Sequence, residues 1–263
     1  MSLRSRVTLL GTGTSHGVPM IACACATCRS TDPRDRRLRP SIYVDVPGRA
    51  HILVDTAIDL RQQMLAHDIT RVDAVLFTHA HADHILGLDD VRRFNEIQGG
   101  PIPCYANADA WRAIRQTFYY LFDGVKRGAG GVAQLVPHEI SGPFTLAAVR
   151  IVPVPLWHGT LPILGFRFGN FSYLTDCNAI PDDSWLLIEG TEILVLDALR
   201  DAPHETHFTI AQALAVVERL GPRRTYFTHM THDVPHAQTN ARLPRGVELA
   251  YDGLVLDIEV DAS

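Results

Sequence analysis

Thr78-His79-Ala80-His81-Ala82-Asp83-His84 places three imidazoles and a carboxylate within seven residues, directly after the apolar run Ala74-Val75-Leu76-Phe77. A short β-rich run of this kind ends in a turn, so the four side chains converge at the C-terminal end of a strand. Imidazole suits zinc, copper, nickel and iron, and a carboxylate beside it favours a hard-to-borderline divalent ion. A solvated histidine-rich loop is the bland alternative. A surface loop, however, has no reason to crowd titratable imidazoles beside a buried strand. The stretch reads as part of a metal site whose remaining ligands lie elsewhere in the chain.

Three later places repeat the pattern of an apolar run that ends in His or Asp. They are Val152-Pro153-Val154-Pro155-Leu156-Trp157-His158, Phe171-Ser172-Tyr173-Leu174-Thr175-Asp176 and Thr225-Tyr226-Phe227-Thr228-His229. Each puts a ligand-type side chain at the mouth of a sheet, where α/β folds place their sites. Singly, each is more often a hydrogen-bonded structural residue. With the first cluster they supply what a two-metal site needs, since ions ~3.5–4 Å apart require more ligands than one loop offers.

The 263 residues are 46% hydrophobic and 20% charged, enough for a large core and ordinary for a globular protein. A net charge of −5 with neutral histidines gives no general attraction for a polyanion, which weighs against binding DNA or long RNA. No apolar run approaches the ~20 residues needed to cross a bilayer. The stretch Val7-Thr8-Leu9-Leu10 is too short for a signal-peptide core, so cytoplasmic residence is expected.

β-type runs occur at 6–10, 41–46, 51–54, 74–77, 102–105, 148–154, 164–168, 171–174, 192–196, 225–227 and 253–258, with helical patterns near 58–67, 88–97, 109–120 and 209–220. Thr209 is a plausible N-cap for the last helix and Gly221-Pro222 its stop. Without repeats or linkers, this argues for one domain over 1–263 with layered sheets. The glycine-rich segment 123–131, with Lys126 and Arg127, reads as a loop, either substrate-contacting or an inert insertion.

The set His79-x-His81-x-Asp83-His84, His158, Asp176 and His229 resembles the metallo-β-lactamase superfamily, and the likeness runs from Gly11-Thr12-Gly13-Thr14 to His229. The resemblance implies an α+β fold, a four-layered αββα sandwich with a dinuclear site at one edge. It implies that His79, His81 and His158 hold one metal, that Asp83, His84 and His229 hold the second, and that Asp176 bridges. Two divalent ions are expected, zinc or manganese with iron as a third option, because all three tolerate mixed His/Asp ligands.

Cys23-Ala24-Cys25-Ala26-Thr27-Cys28 holds three of the five cysteines. Clustered thiols fit a reducing compartment and a bound metal better than a disulfide framework. A fourth ligand would close a tetrahedral Cys3His zinc site. Nothing near in sequence supplies it, but His232 lies three residues beyond His229. Free core thiols and a redox pair are the alternatives, and the polar, arginine-rich flank 29–39 weighs against the first. The arrangement is similar to the PhnP-like phosphodiesterase subgroup of the superfamily, in which a cysteine-rich structural zinc site near the N-terminus is closed by a downstream histidine. That likeness implies one structural zinc on Cys23, Cys25, Cys28 and His232, in a loop at about 20–40. Cys104 and Cys177 read as core thiols, Cys177 also as a neighbour of Asp176.

A hydroxide between two metals is a strong nucleophile at neutral pH, because the pKa of bound water falls to about 7. The leaving alkoxide still needs a proton. By the resemblance, His207 stands beside the phosphate as general acid or phosphate contact, and Asp83 joins it among the catalytic groups. A helix cap is the structural alternative for His207. Asp197 could orient an imidazole; His204 and His16 are further candidates, and His16 reads first as a turn residue.

The expected function is a metal-dependent phosphodiesterase acting on small phosphodiesters, with cyclic ribosyl phosphates or 2′,3′-cyclic nucleotides implied by the subgroup. Its expected partner is that small substrate, with no membrane, no long nucleic acid, and a homodimer as one assembly to consider. A tRNA 3′-processing endonuclease shares the ligand set but needs a basic arm to grip RNA. A thioester, lactam or lactone hydrolase would leave the 196–209 stretch without an obvious purpose. Di-iron oxidoreductases of the superfamily carry Glu where this chain has His81, and a flavin domain; neither feature occurs in this sequence.

Overall fold

The structure is a computed structural model that describes residues 2–125 and 131–262. Lys126 and Arg127 of the glycine-rich segment lie outside the described residues. The first strands are β1 (Ser2–Gly11), β2 (Ser41–Val46), β3 (Ala50–Val54), β4 (Ala74–Leu76), β5 (Ile102–Ala106), β6 (Leu135–Glu139) and β7 (Phe144–Leu146). They are followed by β8 (Val149–His158), β9 (Leu161–Phe168), β10 (Phe171–Leu174), β11 (Ile193–Asp197), β12 (Arg224–Thr228), β13 (Val247–Leu249) and β14 (Val255–Asp261). Helices α1 (Leu60–Ala66), α2 (Ala82–Ile85), α3 (Arg92–Gln98), α4 (Ala108–Thr117), α5 (Tyr119–Phe122), α6 (Asp182–Ile188), α7 (Ile210–Leu220) and α8 (His236–Asn240) connect them.

The strands form two seven-stranded sheets, ordered β14-β1-β2-β3-β4-β5-β6 and β13-β12-β11-β10-β9-β8-β7. Each has an antiparallel half and a parallel half: β3 to β6 in one, β10 to β13 in the other. Apolar residues on both faces of the strands explain the layering. Ile52 and Val54 with Ala74 and Leu76 pack between the sheets, and Phe166, Phe168, Tyr173 and Val195 meet them from the facing side. Their neighbours Leu53 and Val75 point the other way, into a core with Leu60, Met64, Phe94, Trp111 and Ile114 of α1, α3 and α4. Leu194 and Leu196 likewise meet Ile188, Ile210, Ala213 and Val216 of α6 and α7. The result is the αββα metallo-β-lactamase sandwich.

Helix α7 begins at Thr209, whose side chain accepts from Gln212 N–H in a capping box, and ends at Gly221 with φ 65°. No helix among the described residues is long and apolar enough to cross a membrane.

Asp252 ties the opposite ends of the chain. Its Oδ1 accepts from Thr12 N–H at 2.9 Å and Thr12 Oγ1 at 2.8 Å, and its Oδ2 accepts from Leu38 N–H at 2.6 Å. In Asp252→Asn either way round the new NH2 must face a donor. Such a mismatch costs ~1–3 kcal/mol, so a lower denaturant midpoint is expected; an unchanged midpoint would show that the clasp contributes nothing.

Candidate metal centre

The clustered His and Asp donors and Asp197 leave the C-terminal ends of strands. Thr78 to His84 follow β4, His158 ends β8, Asp176 follows β10, Asp197 ends β11 and His229 follows β12. In parallel strands these ends share one edge of the sandwich, which gathers residues that are far apart in sequence. Donor atoms of His79, His81 and His158 lie within 4.8 Å of one another, and those of Asp83, His84, Asp176 and His229 do the same. Asp176 belongs to both neighbourhoods: its Oδ2 is 3.1 Å from His84 Nε2, 3.0 Å from His229 Nε2 and 3.9 Å from His79 Nε2. Asp83 Oδ2 sits 3.5 Å from His84 Nε2 and 3.6 Å from His229 Nε2.

The imidazoles are held from behind. His84 Nδ1–H donates to Asp55 Oδ2 at 2.8 Å. Thr78 Oγ1 donates to the same oxygen at 2.8 Å and accepts from His79 Nδ1–H at 3.0 Å. His158 Nδ1–H donates to the Thr206 carbonyl at 2.9 Å. Each bond fixes a tautomer and leaves Nε2 with a lone pair facing the centre. His79 Nε2 and both ring nitrogens of His229 are buried without a hydrogen-bond partner among the described residues. Buried donors that converge without hydrogen-bond geometry fit a cation.

The charges agree. Burial pushes His79 well below its ordinary range and His158 down to about 4, which keeps both imidazoles neutral and able to ligate. Burial acts the same way on His84 and His229, but the Asp176 carboxylate overrides it, raising His84 and holding His229 at about 10. Asp176 is itself held well below the carboxylate range: burial opposes this, and His229 and His84 outweigh it. Protons on His84 and His229 occupy positions that a divalent ion would take instead, since metal binding displaces them. Asp55, Asp176 and His229 have left-handed backbones, with φ of 62°, 57° and 60°. Strain of ~1–3 kcal/mol per residue persists where the surroundings over-determine it, as at functional sites.

His207 lies beside these donors. Its Nδ1–H donates to Asp197 Oδ2 at 2.9 Å. Its ring stacks on His229 with centroids 4.7 Å apart and meets His158 edge-on at 4.7 Å. The cap of α7 is Thr209, so His207 does not serve as the helix cap. His204 is exposed, with its ring 5.1 Å from that of His207. His16 is exposed in a turn closed by Gly17 N–H to Thr14 O at 2.7 Å, and joins none of the clustered donors among the described residues.

On the other side of His229 the chain reaches the cysteines. His232 Nδ1 is 3.2 Å from Cys23 Sγ, 3.3 Å from Cys25 Sγ and 3.7 Å from Cys28 Sγ. The Cys28 N–H donates to Cys25 Sγ and pulls that thiol down to about 6, while burial pushes Cys28 up to about 11. One thiolate-prone sulfur, two further sulfurs and an imidazole could hold a single ion. Cys104 and Cys177 are buried, as expected of core thiols.

Residues 50–230 match the family model described as a beta-lactamase superfamily domain, a span that contains the whole His/Asp cluster. The chain belongs to the beta-lactamase superfamily. One superfamily structure, described as a new diphosphatase from the PhnP family, shares 46% identity, covers 99% of this chain and 100% of that chain, and has a TM-score of 0.92. The Zn2+-bound PqqB of Methylobacterium extorquens, at 20% identity and a TM-score of 0.78 over 96% of this chain and all of its own, shares the superfamily fold. An octanoyltransferase of Porphyromonas gingivalis is 34% identical over 95% of this chain; the chain spans 51% of that relative. On the family match, the 46% identical diphosphatase and the donor clusters, the protein is a metal-dependent hydrolase of the PhnP-like branch of the superfamily.

Within this superfamily site, sequence reasoning passed over Asp55. The signal was present, because the run Ile52-Leu53-Val54 ends in Asp55 just as the other apolar runs end in ligand-type residues. Asp55→Asn keeps the shape but gives His84 a weaker acceptor. Loss of such a supporting carboxylate lowers metal affinity by about 10–100-fold. Competition with a chelator measures this, and wild-type affinity in the variant would remove Asp55 from the metal's support.

Proposed function

We propose that this protein hydrolyses P–O bonds in small disubstituted phosphates, phosphodiesters and organic diphosphates alike, with His207 protonating the leaving oxygen. The observation that carries the reading is His207 itself. It is an imidazole outside the two principal donor sets, braced by the buried Asp197 and stacked on His229 at the rim of the site. The 46% identical structure is described as a diphosphatase, which supports extending the substrate class from diesters to diphosphates.

In this reading His79, His81 and His158 would hold one ion and Asp83, His84 and His229 the other, with Asp176 near enough to contribute to both. When bound, two divalent ions, zinc or manganese, acidify water and neutralise the phosphate oxygens. Asp83 contributes to catalysis as a ligand and through its negative charge. Asp197 keeps the His207 Nδ1–H pointed at itself, leaving Nε2 to carry the transferable proton, and steadies the imidazolium before transfer. As the new O–P bond forms, the P–O bond to the leaving group breaks and the Nε2 proton passes to the departing oxygen. The products are a monoester and an alcohol, or two monoesters when the leaving group is itself a phosphate.

The Cys23, Cys25, Cys28 and His232 set is assigned to a structural zinc. It would pin the N-terminal loop to the segment after His229, and Thr231 N–H in that segment donates to the Leu199 carbonyl at 3.0 Å, in the loop that carries His207. A closed Cys3His site contributes directly to folding energy.

Phosphorus NMR of metal-loaded protein with a phosphodiester and with a P1,P2-disubstituted diphosphate tests the proposal. Monoester products from either substrate are expected, and no turnover above buffer with both would overturn it.

A further inference from the structure

Beside the donor cluster lies a space of about 190 Å3. His79 and His81 border it, together with Ala80. One wall is Ala110 and Ala113, one helical turn apart on α4; the opposite wall is Leu161 and Pro162 at the start of β9. Asn107 and Asp109 complete the lining. Asn107 commits its Oδ1 to the Ala110 N–H at 2.8 Å, which leaves its NH2 to donate, while Asp109 pairs with Arg112 at 2.8 Å.

We infer that this pocket receives the organic arm of the substrate that stays on phosphorus after cleavage, and that the arm is a neutral ring. The inference rests on the reaction proposed above and adds which substituent goes where. His81, which borders the pocket, has its ring 5.0 Å from that of His158, and His158 has its ring 4.7 Å from that of His207, so His158 stands between the pocket side and His207, which does not line the pocket. A leaving oxygen that takes its proton from His207 departs on the His207 side. The substituent that remains has the pocket on the other.

Size and chemistry set the class. An apolar cavity of about 150 Å3 accommodates a benzene ring, so this space takes a single ring. Ala80, Ala110, Ala113, Leu161 and Pro162 make most of its lining apolar, and beyond the two imidazoles the polar groups are the Asn107 amide and the Asp109 carboxylate, a poor setting for a charged arm. Among the described residues of the lining, the Asp109 carboxylate is already paired with Arg112, so no lining side chain supplies a free cation for a second phosphate. Inorganic diphosphate, with no organic arm, would leave the pocket unfilled and is expected to be a poor substrate.

The test compares phenyl 4-nitrophenyl phosphate with methyl 4-nitrophenyl phosphate, which share a leaving group and differ only in the retained arm. Metal-loaded wild type is expected to favour the phenyl diester by about tenfold or more in kcat/KM, in line with the worth of a few buried carbons, and to show it in KM. Ala113→Leu, or Leu161→Trp from the opposite wall, fills the space and reduces that preference to near unity. A preference kept by both folded variants overturns the inference. Calorimetric binding of phenylphosphonate against methylphosphonate gives a readout without turnover. If both variants are inactive on both diesters, selective loss of phenylphosphonate binding supports the pocket and equal loss of both ligands refutes it. If wild type hydrolyses neither diester, the proposed reaction fails, while the phosphonate comparison still decides what the pocket binds.

Discussion

His207→Ala lowers kcat by about 10²–10⁴-fold on a diester whose leaving group is an alkoxide, the usual worth of a positioned general acid. The loss is much smaller with 4-nitrophenolate, which departs without a proton. This dependence on the leaving group separates an acid from a residue that merely shapes the site. Metal content stays at the wild-type level, because His79, His81, His158, Asp83, His84, Asp176 and His229 are all retained. Asp197→Asn preserves the size of the side chain but removes the carboxylate 2.9 Å from His207 Nδ1, so it reproduces part of the same leaving-group pattern. Steady-state rates on a series of leaving groups measure both variants. An equal loss across the series would assign His207 to positioning, and no loss would remove it from the reaction.

Asp176→Asn strips the site of metal. Asp176 Oδ2 lies near both donor sets, 3.0 Å from His229 Nε2 and 3.9 Å from His79 Nε2. Asparagine tolerates the left-handed φ of 57°, so the backbone has no reason to move and the effect is chemical. The amide halves the available oxygens, removes a negative charge and turns an NH2 toward imidazoles that should ligate a cation. Losing a supporting residue alone costs up to about 100-fold in metal affinity, and losing a shared ligand costs at least as much. Elemental analysis after dialysis is expected to find the His/Asp site largely stripped, with any zinc on the cysteines retained and turnover lost. Full occupancy of the His/Asp site in this variant would contradict the shared-ligand assignment.

Much of the site could be read from the chain because its geometry follows from one rule. A ligand-type residue that ends a parallel strand lands at the same sheet edge as every other, so His79 to His84, Asp176 and His229 could be gathered without coordinates. Asp55 obeys the same rule but passes unnoticed, since a lone aspartate after a strand is ordinary and only its bonds to Thr78 and His84 show its purpose. The left-handed backbones at Asp55, Asp176 and His229 are hard to read in advance, because Asp and His favour that region only relative to other residues and adopt it rarely in absolute terms. The pocket beside His81 is equally silent, because its alanines, leucine and proline meet only when α4 and the β8–β9 hairpin close on it.

The fold shows a parallel division. Long or strongly apolar strands such as β2 and β10 are found at 41–46 and 171–174, the very positions where their patterns lie. Strand β6 was missed: it carries Pro137 in its middle and survives only because it is the edge of its sheet, where a missing N–H costs little. Strands β7 and β13, at three residues each, are too short for an alternation to register. The pattern at 109–120 continues past Phe118, where the backbone leaves the helical region at φ −109° and ψ 43° and divides α4 from α5.

Turnover of bis(4-nitrophenyl) phosphate by the wild-type chain, followed as manganese or zinc is titrated into chelator-treated protein, tests the metal-dependent phosphoryl chemistry most directly. The rate should rise from the buffer level to a plateau as the His/Asp site fills, and return to that level when chelator is restored. A rate that stays at the buffer level with the site shown to be full by elemental analysis would contradict it.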